Sequence, residues 1–318
     1  MIDFRNDIYN EEIKIRFLED INIDKYPPRW WERVFENSFE FENKKQKDLY
    51  AFTTPEILEF YKFIEAKTLT SLVITNTNVI KYGDWALQNN LIFDGQNHFC
   101  EISMEMLNQC VSKVSTLTPL TTFKGFMDFL RGIKNDQDKY IFMAMFEGIK
   151  GKQYEEIVKL QLSDIDEPTK TVKLCTGRKM SVSPEFIQIC KNADAQTDYL
   201  ALSDDIEKED LIERPLTPSI YIYKEKANSR GINTPRTVFN TVVRNIAYMG
   251  YDNKSLTVKM IRDYGLICHL NNRAAKYKMH TVDMLYGDKS LYEDIVNKYY
   301  FNLNTKKRFI LEYEEYFQ

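Results

Sequence analysis

Apolar positions along this chain recur mostly at helical spacing. The clearest case is the stretch 255–267, where Met260, Ile261 and Tyr264 repeat three and four apart and Ile267 follows one turn later. Thr257 stands just ahead of them, placed to accept from a free backbone N–H of the first turn. The pattern predicts a helix that starts at Thr257 and buries one face. Arg262 interrupts that apolar run. A guanidinium there must either reach the surface or find a partner, because burying it alone is costly.

The same pattern organises the rest of the chain. Glu11 to Asp20 predicts a helix, followed by a break at Pro27-Pro28 and an aromatic-rich piece with Trp30, Trp31, Phe35 and Phe39. Paired Trp can stack on bases, but packing is the commoner use and is expected here. Thr53 or Thr54 caps a helix with Pro55 in its first turn, and Ile57, Leu58, Phe60, Tyr61 and Ile64 form its apolar face. Further helices are predicted over 69–89 and 104–114. The hydroxyl-rich segment 112–122, with Pro119, reads as a linker. Beyond it, helices are predicted over 123–130 and 140–146. A turn at Gly151 and a short helix follow, and then two strands, Thr171 to Leu174 and Lys179 to Ser183, about Gly177. A helix over 184–192, an acidic run over 203–210 and a third strand over 220–223 come next. A helix over 235–249 is expected to hold Val238, Phe239, Val242, Val243 and Ile246 inside, with Arg236 and Arg244 outside. One or two helices over 284–300 and an acidic aromatic tail close the chain. The expected fold class is therefore mainly α, in two domains: an all-α domain over 1–113 and an α-rich domain with a small antiparallel sheet over 119–318.

Composition supports a globular, helix-rich chain: 318 residues, 43% hydrophobic, with 11 Gly and 9 Pro. No apolar run approaches the roughly 18 residues of a membrane span, and the first residues lack an apolar signal core. Five cysteines without close pairs predict reduced thiols in a cytoplasmic protein, and three His with no C-x-x-C predict no metal site. No cofactor is expected. Charge changes the picture more. The net charge is −4, and residues 1–115 hold 13 bases against 19 acids, yet Lys224 to Lys278 holds eleven bases against three acids, a local +8. An acidic chain with one basic region does not coat nucleic acid indiscriminately, but it can read it with one face.

The segment Gly151 to Asp166, GKQYEEIVKLQLSDID, fits without a gap the G-L-R-x-x-E-L-x-x-L-x-x-x-D-I-D motif of the tyrosine recombinase (phage integrase) family; Glu156, Leu160, Asp164, Ile165 and Asp166 hold their places. The turn Gly177-Arg178-Lys179 resembles that family's β-hairpin, which carries a basic catalytic residue. Leu256 to Gly265 resembles L-T-x-H-x-L-R-H-T, and Tyr286-Gly287-Asp288 stands where the family has L-G-H. The resemblance covers about 49–300. It implies a helical core-binding domain and a catalytic-type domain that clamp duplex DNA between them.

Departures from the motif are concentrated at catalytic positions. The family's first catalytic Arg falls on Gln153, or on Lys150 if the motif is set from Gly148. Its His residues become Lys259, Asp263 and Asp288, and Arg262 alone is kept. The nucleophilic Tyr is expected near Asn297, so Tyr299 or Tyr300 would need a small insertion. Tyrosine attack on a phosphodiester needs two Arg on the oxygens and imidazoles to carry protons. Loss of one such donor typically costs about 10²–10³ in rate. The positions that resemble the catalytic set (Gln153, Lys259, Arg262, Asp263, Asp288, Tyr299) thus imply a fold retained for binding. In this it is similar to the integrase-like lysogeny repressors of SPβ-type Bacillus phages. The reading expects a DNA-binding repressor of phage lytic genes in the host cytoplasm, with double-stranded operator DNA as partner, no membrane, and self-association or a small regulatory protein or peptide as further partners. An active recombinase and a protein adaptor without DNA are the alternatives. The residues expected to face phosphate are Lys152, Arg178, Lys179, Arg230, Arg236, Arg244, Lys254, Lys259, Arg262 and Arg273. Arg262 either grips a phosphate or pairs internally with Asp263 or Asp288.

Overall fold

The computed structural model describes residues 4, 6–23, 29–112, 119–202, 211–226, 235–251, 256–287 and 289–317. The chain divides into two units: 1–114 with 307–312, and 115–306 with 313–318. Pro27-Pro28, most of the hydroxyl-rich linker and the acidic run 203–210 lie outside the described residues.

The first unit is all-α: α1 (Glu11–Asp20), α2 (Arg29–Lys45), α3 (Thr54–Phe63), α4 (Leu69–Gln88) and α5 (Met104–Gln109). Local chemistry sets the helix starts. At α3, Thr53 and Glu56 form a reciprocal capping box with Pro55 in the first turn; at α4, the Thr68 hydroxyl accepts from Ser71 N–H. α5 stops at Gln109, short of the predicted end. The core is aromatic: the Phe17 ring lies 4.8 Å from Trp31 and 4.9 Å from Tyr82, near edge-on. Trp31 and Phe35 are fully buried, so this aromatic pair packs, while Trp30 remains 44% exposed. Inside this core lies a buried charge cluster. Lys14 Nζ reaches Glu42 Oε1 at 2.8 Å and Asp48 Oδ2 at 3.5 Å, all three side chains being essentially inaccessible. Burial pushes the Glu42 carboxyl up to about 7 despite Lys14 beside it.

The second unit contains α6 (Phe123–Arg131), α7 (Asp136–Phe146), α8 (Glu155–Val158), β1 (Ile165–Asp166), β2 (Thr171–Lys173), β3 (Lys179–Ser181), α9 (Pro184–Ala195), β4 (Asp198–Leu202) and β5 (Leu211–Pro215). It continues with α10 (Pro235–Tyr248), α11 (Val258–Tyr277), α12 (Thr281–Gly287) and α13 (Lys289–Tyr299). α7 is its central rod, with Tyr140 to Phe146 all buried. α11 crosses α7 closely at Gly265, where an added Cβ would sit 1.8 Å from Phe146 O. β1, β2 and β3 form an antiparallel sheet in sequence order, and β4 and β5 a separate antiparallel pair.

Two expectations are corrected and one hairpin is added. Residues 220–223 are bends and not a strand; Ile222 is buried there, its N–H donating to Leu160 O at 2.9 Å and its carbonyl accepting from Gln137 Nε2 at 2.7 Å. The unpredicted hairpin is β4–β5, whose strands alternate too weakly to be seen in the sequence. On α10, Phe239 is 46% exposed, because Val238, Val242 and Ile246 already fill the inward face.

Candidate nucleic-acid interface

The site is built on a tight turn after α7. Gly148 has φ +88°, and an added Cβ would lie 2.3 Å from Lys298 O, so this approach needs glycine. Gly151 follows with φ +67°. Gln153 (φ 54°) and Tyr154 (φ 63°) are then two successive left-handed residues that are not glycine, a costly arrangement. Glu156 ties the turn down by accepting from Lys150 N–H at 3.0 Å. Lys150 and Tyr154 line a pocket, and Gln153 is exposed.

The opposite wall is the first turns of α11. Thr257 caps it, its hydroxyl accepting from Met260 N–H at 3.3 Å. Val258, Lys259 and Arg262 therefore face the same side, and with Met145, Lys150 and Tyr154 they enclose about 340 Å³. The Lys150 ammonium lies 5.5 Å from the centre of the Tyr154 ring. Burial, and then the Arg262 charge, lower the Lys150 pKa. Asp263 stands behind as the counter-charge: Lys259 reaches its Oδ2 at 2.5 Å and Arg262 approaches Oδ1 at 3.5 Å. Its Oδ2 also accepts from the Tyr313 hydroxyl at 3.1 Å. Lys259 and Arg262 thus share one buried carboxylate near the positive end of a 20-residue helix, with Lys150 lining the same pocket, an arrangement suited to a phosphate.

Arg178 lies elsewhere, and its placement differs from the expectation that it faces phosphate. Its Nε and Nη2 grip Glu156 at 2.9 and 2.6 Å. Nη2 also donates to Gly148 O at 3.2 Å, and Nη1 donates to Lys298 O at 3.1 Å and to Asn297 O. The guanidinium lies 4.1 Å over the Tyr300 ring. Its fork is occupied within the protein, bonding the carbonyls that end α13 to the turn after α7. Burial would raise the Glu156 carboxyl, but bonds from Arg178, Thr176 and Tyr300 outweigh it and hold it below its usual value.

Neither tyrosine near the family's nucleophile position lines the pocket. Tyr299 is 3% exposed, and its hydroxyl donates to Gly265 O at 3.1 Å. Burial raises its pKa well above the ordinary value. Tyr300 donates to Glu156 Oε1 at 2.8 Å.

The remaining predicted residues scatter. Lys152, Lys179 and Arg236 are exposed. Arg244 donates to the Tyr199 hydroxyl and sits 4.0 Å from buried Asp138. Arg273 pairs with Asp294 at 3.1 Å. Arg230, Lys254 and Asp288 lie outside the described residues. The basic stretch is thus partly used internally; Lys226, for instance, lies 3.6 Å over the Tyr199 ring. The sequence reading omitted Tyr154 from the site and put Gln153 ahead of Lys150. The signal for Lys150 was the alternative motif frame starting at Gly148.

A helical N-terminal unit, an α-rich unit with a three-stranded antiparallel sheet, and a cationic pocket at the start of a long helix define a tyrosine-recombinase-like protein. The chain belongs to the MrpR family: residues 8–88 match the MrpR N-terminal core-binding domain and residues 120–315 the MrpR C-terminal catalytic domain. It is similar along nearly its whole length to the SPbeta prophage-derived uncharacterized protein YopR of Bacillus subtilis (strain 168). The two are 25% identical over 327 residues, covering 92% of this chain and 97% of that protein. Among the described residues no helix is long and apolar enough to cross a membrane.

Proposed function

We propose that this chain is a sequence-specific DNA-binding repressor that silences phage lytic genes in the bacterial cytoplasm, using a tyrosine recombinase fold that no longer cleaves DNA. One observation carries the reading: Lys150, Lys259 and Arg262 converge on one pocket, while Tyr299 and Tyr300 are engaged elsewhere. Charge suited to holding a phosphodiester is kept. The oxygen nucleophile expected beside it is buried in one case and bonded to a carboxylate in the other. Lysine supplies charge but not the bidentate fork of a second arginine, and lysine and aspartate stand where imidazoles would move protons. Such a pocket favours binding over bond breaking.

The alternative, an active recombinase with an unusual active site, is favoured by the Tyr154 ring lining the pocket. Burial raises the Tyr154 pKa, which disfavours the phenolate an attack requires. The test is a mobility shift against phage promoter DNA at two salt concentrations, run beside a suicide substrate. Salt-sensitive binding without a covalent adduct is expected. An adduct lost in Tyr154→Phe, Tyr299→Phe or Tyr300→Phe would establish the recombinase instead.

A further inference from the structure

Lys226 is a half-buried amine without a counter-ion. An antiparallel bridge to Leu216 fixes its backbone just past β5. Among the described residues its ammonium makes no hydrogen bond and no ion pair; it meets the Tyr199 ring, whose centre lies 3.6 Å away. The acid of this cluster is Asp138 on α7, 1% exposed. Its Oδ2 already accepts from the Tyr199 hydroxyl at 2.8 Å and from Asn245 Nδ2 at 2.9 Å. Arg244 stands 4.0 Å from that oxygen, donates to the Tyr199 hydroxyl, and lies 5.6 Å from the centre of the same ring. Lysine and arginine thus crowd one ring, and the lysine is beyond ion-pair reach of the acid.

The charged and titratable groups facing Lys226 are Asp138 from α7, Tyr199 from β4, Arg214 from β5 and Arg244 from α10. Burial, and then the Arg244 charge, lower the amine from 10.5 to about 8; Arg214 adds to the effect and Asp138 opposes it. A desolvated amine beside a fixed cation is the arrangement that makes lysine a nucleophile. The second half of the site is a cleft lined by Lys134, Asp138, Tyr199, Arg244 and Tyr248. Lys134 is exposed and the Arg244 side chain is 40% exposed, so two cations are open to a phosphate group there. We infer that Lys226 is a modification site, a nucleophilic lysine acylated by a small acyl phosphate. The lone pair of Nζ attacks the acyl carbon and the C–N bond forms. The C–O bond to phosphate breaks, phosphate leaves with the electron pair, and the amine proton passes to water. Acylation cancels one of the eleven bases between Lys224 and Lys278. The assignment holds whether or not the chain binds DNA.

The experiment incubates the full chain with acetyl phosphate between about pH 6 and pH 10 and quantifies acetylation lysine by lysine by mass spectrometry. Exposed Lys179 is the internal reference. At about pH 7, Lys226 should react roughly tenfold faster than Lys179, because far more of its amine is neutral. Its rate should level off near pH 8, where the amine is fully deprotonated, while that of Lys179 goes on rising. In Arg244→Gln the levelling should move to higher pH, with melting recorded to check the fold. A Lys226 rate no faster than that of Lys179, or one that rises without levelling in the wild-type chain, would overturn the proposal. So would an unmoved profile in an Arg244→Gln chain that melts like wild type; if that variant does not fold, the wild-type profile decides.

Discussion

Arg178→Ala tests whether this arginine is a DNA contact or an internal clamp. The Glu156 side chain is fully buried, and Arg178 closes on it in a two-pronged bond. Alanine removes the cation but leaves the carboxylate inside. It also frees the carbonyls of Gly148 and Lys298 from donors at 3.2 and 3.1 Å. Breaking a buried ion pair from one side costs about 3–5 kcal/mol. For a unit of this size each kcal/mol moves Tm by about 2–4 °C, so the variant should melt roughly 6–20 °C lower by calorimetry. Arg178→Met with Glu156→Leu should recover much of that loss, because no charge is then left stranded. The linkage has a definite sign. The Glu156 carboxyl is lowered in the folded chain, so its contribution is complete above the unfolded value of 4.5 and is lost as pH falls through the folded one. Arg178→Ala should lack that acid-labile component. A variant that melts within a degree of wild type but binds DNA more weakly, with a shallower salt slope, would refute the clamp and restore Arg178 as a phosphate contact.

Arg262→Ala should fold normally, because its contact with Asp263 is long at 3.5 Å, and should lose about 1.5–3 kcal/mol of DNA affinity in a shift assay. Tyr299→Phe removes the bond to Gly265 O and should cost about 1 kcal/mol of stability in a denaturant titration, yet leave repression intact in a reporter strain. Lys14→Met strands Glu42 and Asp48 in the aromatic core and should destabilise the first unit by about 3–5 kcal/mol in thermal melts. In wild type the raised Glu42 makes the folded chain bind the proton more tightly, so stability should fall as pH rises from about 4.5 to about 7, a slope absent in Glu42→Gln.

Helix positions were legible in the sequence because their signals are local. Thr53-Thr54-Pro55-Glu56, Ser183-Pro184 and Thr257 carry their own capping chemistry within one turn, and the apolar period names the buried face. The Gly177 hairpin was legible for the same reason, its turn needing a left-handed residue, φ +86°. Strand identity was less so: β4 and β5 become strands by pairing with each other, a partner choice that no short window contains.

Side-chain partnership was settled by tertiary structure. Arg178 and Lys179 are adjacent in the chain with the same charge. One is clamped on Glu156 and the other forms no ion pair with a described residue, because a strand sends neighbours to opposite faces and only one face meets a buried carboxylate. Lys150 and Gln153 offered two frames for one motif, and the strained turn puts Lys150, not Gln153, in the pocket lined by α11. The sequence determined which charges the chain carries and which helices present them. The packing of α7, α8, α11 and α13 decided which of those charges are neutralised inside and which stay accessible, because desolvation and pairing depend on neighbours far away along the chain.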